Sequence, residues 1–157
     1  MSKTIQKVTW EQLDEMCNHV ALDFYQHASG YPIINSIIAI GSGGLIPARL
    51  IAERLHNPKI YVFGVRSFDR DGKRCEPTIY QAPDMVFTGQ RVLIVDDIVD
   101  SGQTLSLIRS TIIAQNPDRL HTATIHYKTT SSIKPDYFAT TIDDKKVWIQ
   151  YPYEIEE

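Results

Sequence analysis

Three aspartates, Asp96, Asp97 and Asp100, lie close together in the segment VLIVDDIVDSGQTL, residues 92–105. The first two follow a run of four apolar residues that is typical of a strand buried on both faces. Neighbouring carboxylates repel one another, so a buried strand is expected to end in them only where a partner binds. Sugar hydroxyls suit such a site as hydrogen-bond donors, and Mg²⁺ suits it as a cation that prefers oxygen ligands.

The residues directly after these acids predict a turn that opens a helix. Ser101, Gly102, Gln103 and Thr104 would offer two hydroxyl groups, backbone N–H groups and a helix N-terminus, which together favour an anion such as a phosphate monoester. Helix capping is the commoner role of a short Asp/Ser/Gly/Thr cluster, but capping does not explain three acids after a buried strand. The segment therefore predicts a site for a phosphorylated sugar with a metal ion.

The elements that must position these residues alternate along the chain. Apolar runs predict strands at 36–40, 60–65, 91–95 and 122–127, and shorter strands at 136–140 and 147–151. Strands that alternate with helices predict an α/β fold with a mostly parallel central sheet flanked by helices. We expect one domain over residues 1–157.

Three helices are expected between these strands. The first begins with a capping box of Thr9 and Gln12 and a hydrophobic staple of Val8 and Leu13, and ends at Gly30 and Pro32. The second spans 45–55, and the third presents an apolar face and stops at Asn116-Pro117. Residues 66–84 are polar and predict a long loop that can contain short strands, and a loop of this length is usually functional or mobile.

Four polar segments fall at the carboxyl ends of the predicted strands. They are GSGG (41–44), the long loop, the acidic run and KTTSS (128–132). Ligands of parallel sheets bind beyond the carboxyl ends of the strands, so these segments are expected to face one cleft.

Composition narrows the functional classes. A net charge of −3 gives no support for broad contact with nucleic acid, and no apolar run is long enough to span a membrane. Cys17 is expected in the core and Cys75 in a polar loop, which is not a metal-ligand pattern. The N-terminal residues lack an apolar leader segment, so we expect a cytoplasmic protein.

The segment VLIVDDIVDSGQTL resembles the ribose-phosphate motif of type I phosphoribosyltransferases. Three further segments, VTWEQL, IIAIGSGGLIPARLIAERL and VWIQYPYE, resemble bacterial xanthine-guanine phosphoribosyltransferases in order and spacing. The resemblance implies that fold, with a flexible loop and a small C-terminal hood over the base. It also implies transfer of ribose 5-phosphate from phosphoribosyl pyrophosphate (PRPP) to a 6-oxopurine, with Mg²⁺ as cofactor and a homodimer or homotetramer as the assembly.

The resemblance also assigns residue roles. Ser101, Gly102, Gln103 and Thr104 would hold the 5-phosphate, Asp96 and Asp97 would contact the ribose, and Asp97 would help to hold Mg²⁺. Asp100 would lie near purine N7 as proton acceptor or orienting group. Lys128 would contact the 6-oxo group, Trp148 would stack on the purine, and backbone groups of Ile149 would meet its edge. For a lysine and a tryptophan in isolation, surface exposure and core packing are the alternative readings.

The pyrophosphate loop departs from the family pattern. Ser42, Gly43 and Gly44 correspond to it, but the xanthine-guanine enzymes usually carry arginine at the position of Ser42. Arg66, Arg70, Lys73 or Arg74 would have to compensate, and Arg74 corresponds best to the loop arginine of the family. Ser67-Phe68 stands where the family often has Ser-Tyr.

Two other classes of function are compatible with parts of the pattern. A phosphoacceptor receiver domain also uses clustered acids and a strand-end lysine, but its acid pair ends the first strand and it has no counterpart of SGQT. A non-catalytic regulator on the same fold would bind PRPP or a nucleotide without turnover. A salvage enzyme for another base is the alternative within the enzyme class.

Overall fold

A computed structural model describes residues 3–28 and 33–155 of the chain. The strands are β1 (Thr4–Lys7), β2 (Ser36–Gly41), β3 (Lys59–Phe68), β4 (Arg74–Gln81), β5 (Arg91–Val99), β6 (Arg119–Lys128), β7 (Tyr137–Ile142) and β8 (Val147–Gln150). The helices are α1 (Trp10–His27), α2 (Leu45–Arg54) and α3 (Gln103–Ile113). This alternation confirms the predicted α/β class.

Six strands form the central sheet in the order β4-β3-β2-β5-β6-β7. All neighbouring pairs are parallel except β3 and β4, which form an antiparallel hairpin at one edge. The predicted mostly parallel sheet is therefore confirmed. A second, two-stranded parallel sheet joins β1 to β8.

The two faces of the central sheet are covered by different helices. Alternate residues of β2, β5 and β6, among them Ile37 and Leu93, pack with α1 and α2 in one apolar cluster. The intervening residues, among them Ile38 and Ile94, pack with α3 in a second cluster. Because both faces are buried, the strands carry continuous apolar runs, and this is why the sequence marks them clearly.

The start of α1 agrees with its prediction. The Thr9 side chain accepts a hydrogen bond from the Gln12 N–H at 3.1 Å, and the Gln12 side chain accepts one from the Thr9 N–H at 2.9 Å. Val8 and Leu13 are both buried in the same cluster, as the hydrophobic staple requires. The helix ends at His27 with Ala28 as its cap, and the predicted stop signals Gly30 and Pro32 lie outside the described residues.

Several strand boundaries differ from the predictions, and so do the segment 66–84 and β1. β5 continues to Val99 instead of ending at Val95, because its pairing with β6 runs on to Tyr127. Residues 66–84 contain the end of β3 and all of β4, so most of the predicted long loop is a hairpin. β1 was not predicted, since its four residues are all exposed and it forms only by pairing with β8.

Within the described ranges, no helix is long and apolar enough to cross a membrane.

Candidate active site

A cleft of about 630 Å³ lies at the carboxyl ends of the central strands. Its walls come from the turns after β2 and β5, the β3–β4 hairpin, the end of β6, and β8 with the residues that follow it. The predicted site residues that line it are Ser42, Gly43, Arg74, Asp96, Asp97, Asp100, Ser101, Gly102, Thr104, Lys128, Trp148 and Ile149. Gly44 and Gln103 belong to the same two turns but do not line the cleft.

Asp96 and Asp97 belong to the last part of β5, so both carboxylates are held by the strand itself. Oδ1 of Asp96 accepts a hydrogen bond from the Asp97 N–H at 2.9 Å, and Oδ1 of Asp97 accepts one from the Ile98 N–H at 2.7 Å. Burial, and then repulsion by Asp97, raises the pKa of Asp96 well above its usual range. Burial also raises the pKa of Asp97. The acid pair therefore disfavours its own negative charge, and a cation or a set of hydroxyl donors would relieve that cost.

The turn after β2 passes directly over this acid pair. A Cβ on Gly43 would overlap the Asp97 carboxylate, so only glycine lets the backbone approach so closely. At position 44 glycine is required by the packing of the backbone, because a Cβ there would lie 2.5 Å from the Val95 carbonyl oxygen. The Gly41–Ser42 peptide bond is cis.

The SGQT turn opens α3 as predicted. Gly102 precedes the helix with φ of +91°, a left-handed conformation that favours glycine, and a Cβ there would also meet Ile133 and Ser131. The Ser132 hydroxyl donates to the Ser101 carbonyl oxygen at 2.9 Å, which fixes the turn from the far side. The amino end of α3 consequently faces the cleft next to the acids.

Asp100 connects two basic side chains across the cleft. Its carboxylate is paired with Nζ of Lys128 at 3.1 Å and with the guanidinium of Arg74. Lys128 is only 5 % exposed at the end of β6, and its Nζ also donates to the Lys145 carbonyl oxygen at 3.4 Å. Arg74 donates in addition to the Ser101 hydroxyl at 3.2 Å. In this structure Arg74 therefore contacts the SGQT turn, whereas the sequence assigned it to the pyrophosphate loop.

The C-terminal wall of the cleft is formed around β8. Trp148 lines the cleft with 37 % of its surface exposed, and Nζ of Lys3 lies 4.1 Å from the centre of its ring. Ile149 buries its side chain in the core, so only its backbone is available to a ligand. A flat aromatic surface and free backbone groups thus stand opposite Lys128 and Asp100.

Two tyrosines of the cleft region were not identified from the sequence. The Tyr151 hydroxyl donates to the Asp97 carbonyl oxygen at 2.9 Å. The Tyr153 hydroxyl lies 3.1 Å from the Gly43 carbonyl oxygen and 3.4 Å from Oδ2 of Asp97. The segment YPYE was part of the resemblance, but no local signal shows that the chain returns to the acid pair after β8.

A metal held by protein side chains alone is not indicated. Within residues 3–28 and 33–155, no group of three or more histidine, cysteine or acidic side chains is arranged to hold one. Asp97, with Asp96 beside it, would supply only part of the oxygen ligands that Mg²⁺ requires.

Comparison with known proteins identifies the family. Residues 9–156 match the phosphoribosyl transferase domain. The chain is 27 % identical to a xanthine-guanine phosphoribosyltransferase of Cereibacter sphaeroides, over 94 % of this chain and 86 % of the relative. It is 28 % identical to the enzyme of that name from Desulfotalea psychrophila, over 98 % and 89 %.

Solved structures agree with these relatives. A purine phosphoribosyltransferase from Pyrococcus horikoshii superimposes with a TM-score of 0.82 at 26 % identity, over 98 % of this chain and 95 % of that one. A Neisseria gonorrhoeae protein solved with bound ppGpp gives a TM-score of 0.78 at 25 % identity, over 99 % and 92 %. Since the matched region contains the acid pair, the SGQT turn and every other wall of the cleft, the chain belongs to the phosphoribosyltransferase family.

Proposed function

We propose that this protein is a purine salvage phosphoribosyltransferase. It transfers ribose 5-phosphate from PRPP to a 6-oxopurine and releases pyrophosphate. The observation that carries the proposal is the meeting of the acid pair Asp96–Asp97, the SGQT turn and Lys128 in one cleft. The relatives named xanthine-guanine phosphoribosyltransferases support guanine or xanthine as the acceptor, with hypoxanthine as a further candidate.

Each part of PRPP has a complementary surface. The 5-phosphate would bind the turn of Ser101, Gly102, Gln103 and Thr104 at the amino end of α3, where N–H groups and hydroxyls favour an anion. Asp96 and Asp97 would accept hydrogen bonds from the ribose hydroxyls. The turn of Ser42, Gly43 and Gly44 would cradle the pyrophosphate with the N–H groups of Ser42 and Gly43, since the Gly44 N–H donates to the Ile40 carbonyl oxygen at 2.8 Å.

Mg²⁺ fits the acid pair. Both carboxylates have raised pKa values because they are buried, so a divalent cation at Asp97 would relieve the unfavourable charge. Since the described residues hold no larger ligand cluster, the remaining ligands would be oxygens of PRPP and water. When bound, the ion neutralises charge that develops on the departing pyrophosphate.

The reaction exchanges one bond at C1 of the ribose. The C1–O bond to pyrophosphate breaks with its electron pair on oxygen, and a C1–N bond to the purine forms. C1 gains positive character in between, which the nearby carboxylates stabilise electrostatically. Asp100 would accept or orient the proton that the purine loses, and its ion pairs with Lys128 and Arg74 hold it in place.

Lys128 would select the base. An ammonium group only donates hydrogen bonds, so it complements a 6-oxo oxygen and opposes the 6-amino group of adenine. An unmatched buried contact of this kind costs about 1–3 kcal/mol, or roughly a ten- to hundredfold loss in kcat/KM. Trp148 would stack on any purine and add affinity without choosing among them.

The test is a base panel with PRPP and Mg²⁺, followed by pyrophosphate release. We expect kcat/KM for guanine, xanthine or hypoxanthine to exceed that for adenine, and Lys128→Ala to remove the preference. Lys134→Ala, at a lysine that does not line the cleft, is the matched control. Adenine as the best substrate would refute the role of Lys128, and PRPP binding without turnover of any base would favour the non-catalytic regulator.

We also propose that the protein assembles into a homodimer or homotetramer. The proposal is supported by the family and by α1, where Trp10 and Leu22 each expose about half of their surface. Sedimentation at micromolar concentration should give a multiple of the chain mass of 17.9 kDa. A monomer under those conditions would overturn it.

A further inference from the structure

Three basic side chains of the described residues line the cleft: Arg66, Arg74 and Lys128. Arg74 and Lys128 are both paired with Asp100, on the side of the SGQT turn. The guanidinium of Arg66 forms no hydrogen bond or ion pair with any other described residue, and the side chain is exposed to the cleft. One guanidinium is thus available for a ligand without the loss of an existing contact.

The sheet register places Arg66 beside the turn after β2. β2 and β3 are parallel neighbours, and Gly41 is paired with Gly64 at their carboxyl ends. Ser42 follows Gly41 by one residue on its strand, and Arg66 follows Gly64 by two on the neighbouring strand. Both residues line the same cleft.

The turn itself is poorly equipped for a strongly charged anion. Residues 42–44 offer the N–H groups of Ser42 and Gly43 and one serine hydroxyl but no cation, and the carboxylate of Asp97 lies directly against Gly43. Pyrophosphate carries several negative charges, so a site beside a carboxylate needs positive charge nearby. A guanidinium is suited to this task, because its planar fork of donors matches two phosphate oxygens at once.

We propose that Arg66 is the residue of this chain that binds the pyrophosphate group of PRPP and the pyrophosphate product. This inference rests on the proposed function and deepens it, since it assigns the charge that the 42–44 turn lacks. Arg66 is consequently a pyrophosphate-specific residue, separate from the Arg74–Asp100–Lys128 contacts on the other side of the cleft.

The direct test is calorimetric binding of pyrophosphate with Mg²⁺ to wild type and to Arg66→Gln. Loss of a charged hydrogen-bonding pair should weaken this binding about ten- to a hundredfold. Binding of guanosine 5′-monophosphate, which has a 5-phosphate but no pyrophosphate, should change less than about twofold. Arg70→Gln, in the exposed hairpin turn and outside the cleft lining, is the matched control and should bind pyrophosphate like wild type.

A relocated charge provides a gain-of-function readout. In Ser42→Arg/Arg66→Gln the guanidinium returns to the cleft from the neighbouring strand, so recovery of pyrophosphate affinity would support the proposal. Unchanged pyrophosphate binding in Arg66→Gln would overturn it, as would an equal loss for pyrophosphate and the nucleotide. These measurements need no turnover, so failure of wild type to act on any purine would refute the proposed function alone.

Discussion

Asp97 is the residue on which most parts of the cleft converge. Its carboxylate lies against Gly43, accepts a hydrogen bond from the Ile98 N–H and approaches the Tyr153 hydroxyl. The neighbouring Asp96 carboxylate is also buried, and the pKa of both groups is raised. A carboxyl that is harder to ionise in the fold than in the unfolded chain lowers stability at neutral pH. Such a cost is expected of a site that binds a cation or hydroxyl groups and does not itself add to stability.

We expect Asp97→Asn to lower turnover by on the order of 100-fold, since it removes charge that stabilises the transition state. Stability at pH 7 should rise, because the variant removes a carboxyl whose pKa is raised by burial. The ordinary pKa of 3.8 is raised in the fold, so wild type loses stability as pH rises through and above this value. The stability advantage of Asp97→Asn should therefore grow from pH 4 to pH 7 in urea denaturation. The exposed Asp84→Asn is the control, and a folded Asp97→Asn protein with wild-type turnover would contradict the assignment.

Tyr153 is a positioning residue for the same carboxylate. Its hydroxyl carries one proton but faces two acceptors, the Gly43 carbonyl oxygen and Oδ2 of Asp97. It thereby connects the turn after β2 to the end of β5. Its ring stacks on Tyr151 with centroids 5.4 Å apart, so the ring and the hydroxyl have separable roles.

For Tyr153→Phe we expect the stacking to persist and the hydrogen bond to be lost. A typical hydrogen bond is worth about 1 kcal/mol, so KM for PRPP should rise roughly fivefold while kcat changes less. Steady-state kinetics at saturating base measure both. Tyr25→Phe, at a buried hydroxyl that has no hydrogen-bond partner among the described residues, is the control, and an unchanged KM in Tyr153→Phe would contradict this role.

For single residues, the sequence was sufficient where the residue type and spacing themselves indicate a binding role. Asp96, Asp97, Asp100 and the SGQT turn form one continuous segment, and Lys128 is marked by its place at a strand end. Tyr151 and Tyr153 were not predicted as site residues, because their contacts with Asp97 and Gly43 depend on the path of the chain after β8. Arg66 could not be separated from Arg70 and Lys73, because only the structure distinguishes the cleft lining from the hairpin turn. Nor could it be separated from Arg74, which also lines the cleft but is paired with Asp100.

Among the elements, the central strands were predictable and the edges were not. β2 and β5 are buried on both faces, so their apolar runs define them. β4 alternates between exposed and partly buried residues and contains Pro77, which an edge strand tolerates but which reduces a strand signal. β1 is fully exposed and depends on β8 for its hydrogen bonds, and such pairing cannot be inferred from four residues.

β6 is joined to the segment after β8 by a buried hydrogen bond. Nδ1 of His126 lies 2.7 Å from the Tyr151 hydroxyl oxygen, and His126 is 1 % exposed. Since Tyr151 donates its single proton to the Asp97 carbonyl oxygen, His126 must donate from Nδ1. His126 therefore connects β6, through the Tyr151 hydroxyl, to the backbone of the acid pair.

This arrangement predicts a pH dependence of stability. Burial lowers the pKa of His126 from 6.5 to about 4. The contribution of the neutral ring is complete above pH 6.5 and is lost as pH falls towards 4, in total roughly 3 kcal/mol. Urea denaturation between pH 7 and pH 4.5 should show a steeper loss for wild type than for His126→Gln. The pKa of the half-buried His121 is also lowered, so His121→Gln is a graded control, and parallel curves for wild type and His126→Gln would contradict the argument.

The location of the cleft follows from the topology of the whole molecule. From β2 the chain passes through α2 to β3 in one direction along the sheet, and from β5 it passes through α3 to β6 in the other. α2 and α3 cover opposite faces, so the strand order reverses between β2 and β5. Ligands of open α/β sheets bind at such a switch point. The sequence predicted that the polar segments would share one cleft. The strand order, which places β2 beside β5 and so brings the turns after these two strands together, is known only from the structure.

Binding of the whole substrate across this switch point should stabilise the whole protein. PRPP with Mg²⁺ can bind only when the turns after β2 and β5 are both in place, so it favours the folded state. At about 100 times its Kd such a ligand adds roughly 2.7 kcal/mol, which for a chain of this size raises the Tm by about 5–10 °C.

Without Mg²⁺ the phosphates meet the uncompensated charge of Asp96 and Asp97, so the shift should be clearly smaller. Ribose 5-phosphate, which lacks the pyrophosphate that would contact the turn after β2, should also give a smaller shift, and it is the matched ligand control. Thermal melts of wild type and Asp97→Asn with each ligand, with and without Mg²⁺, measure these differences. Equal shifts by PRPP with and without the metal would show that the acid pair takes no part in binding it.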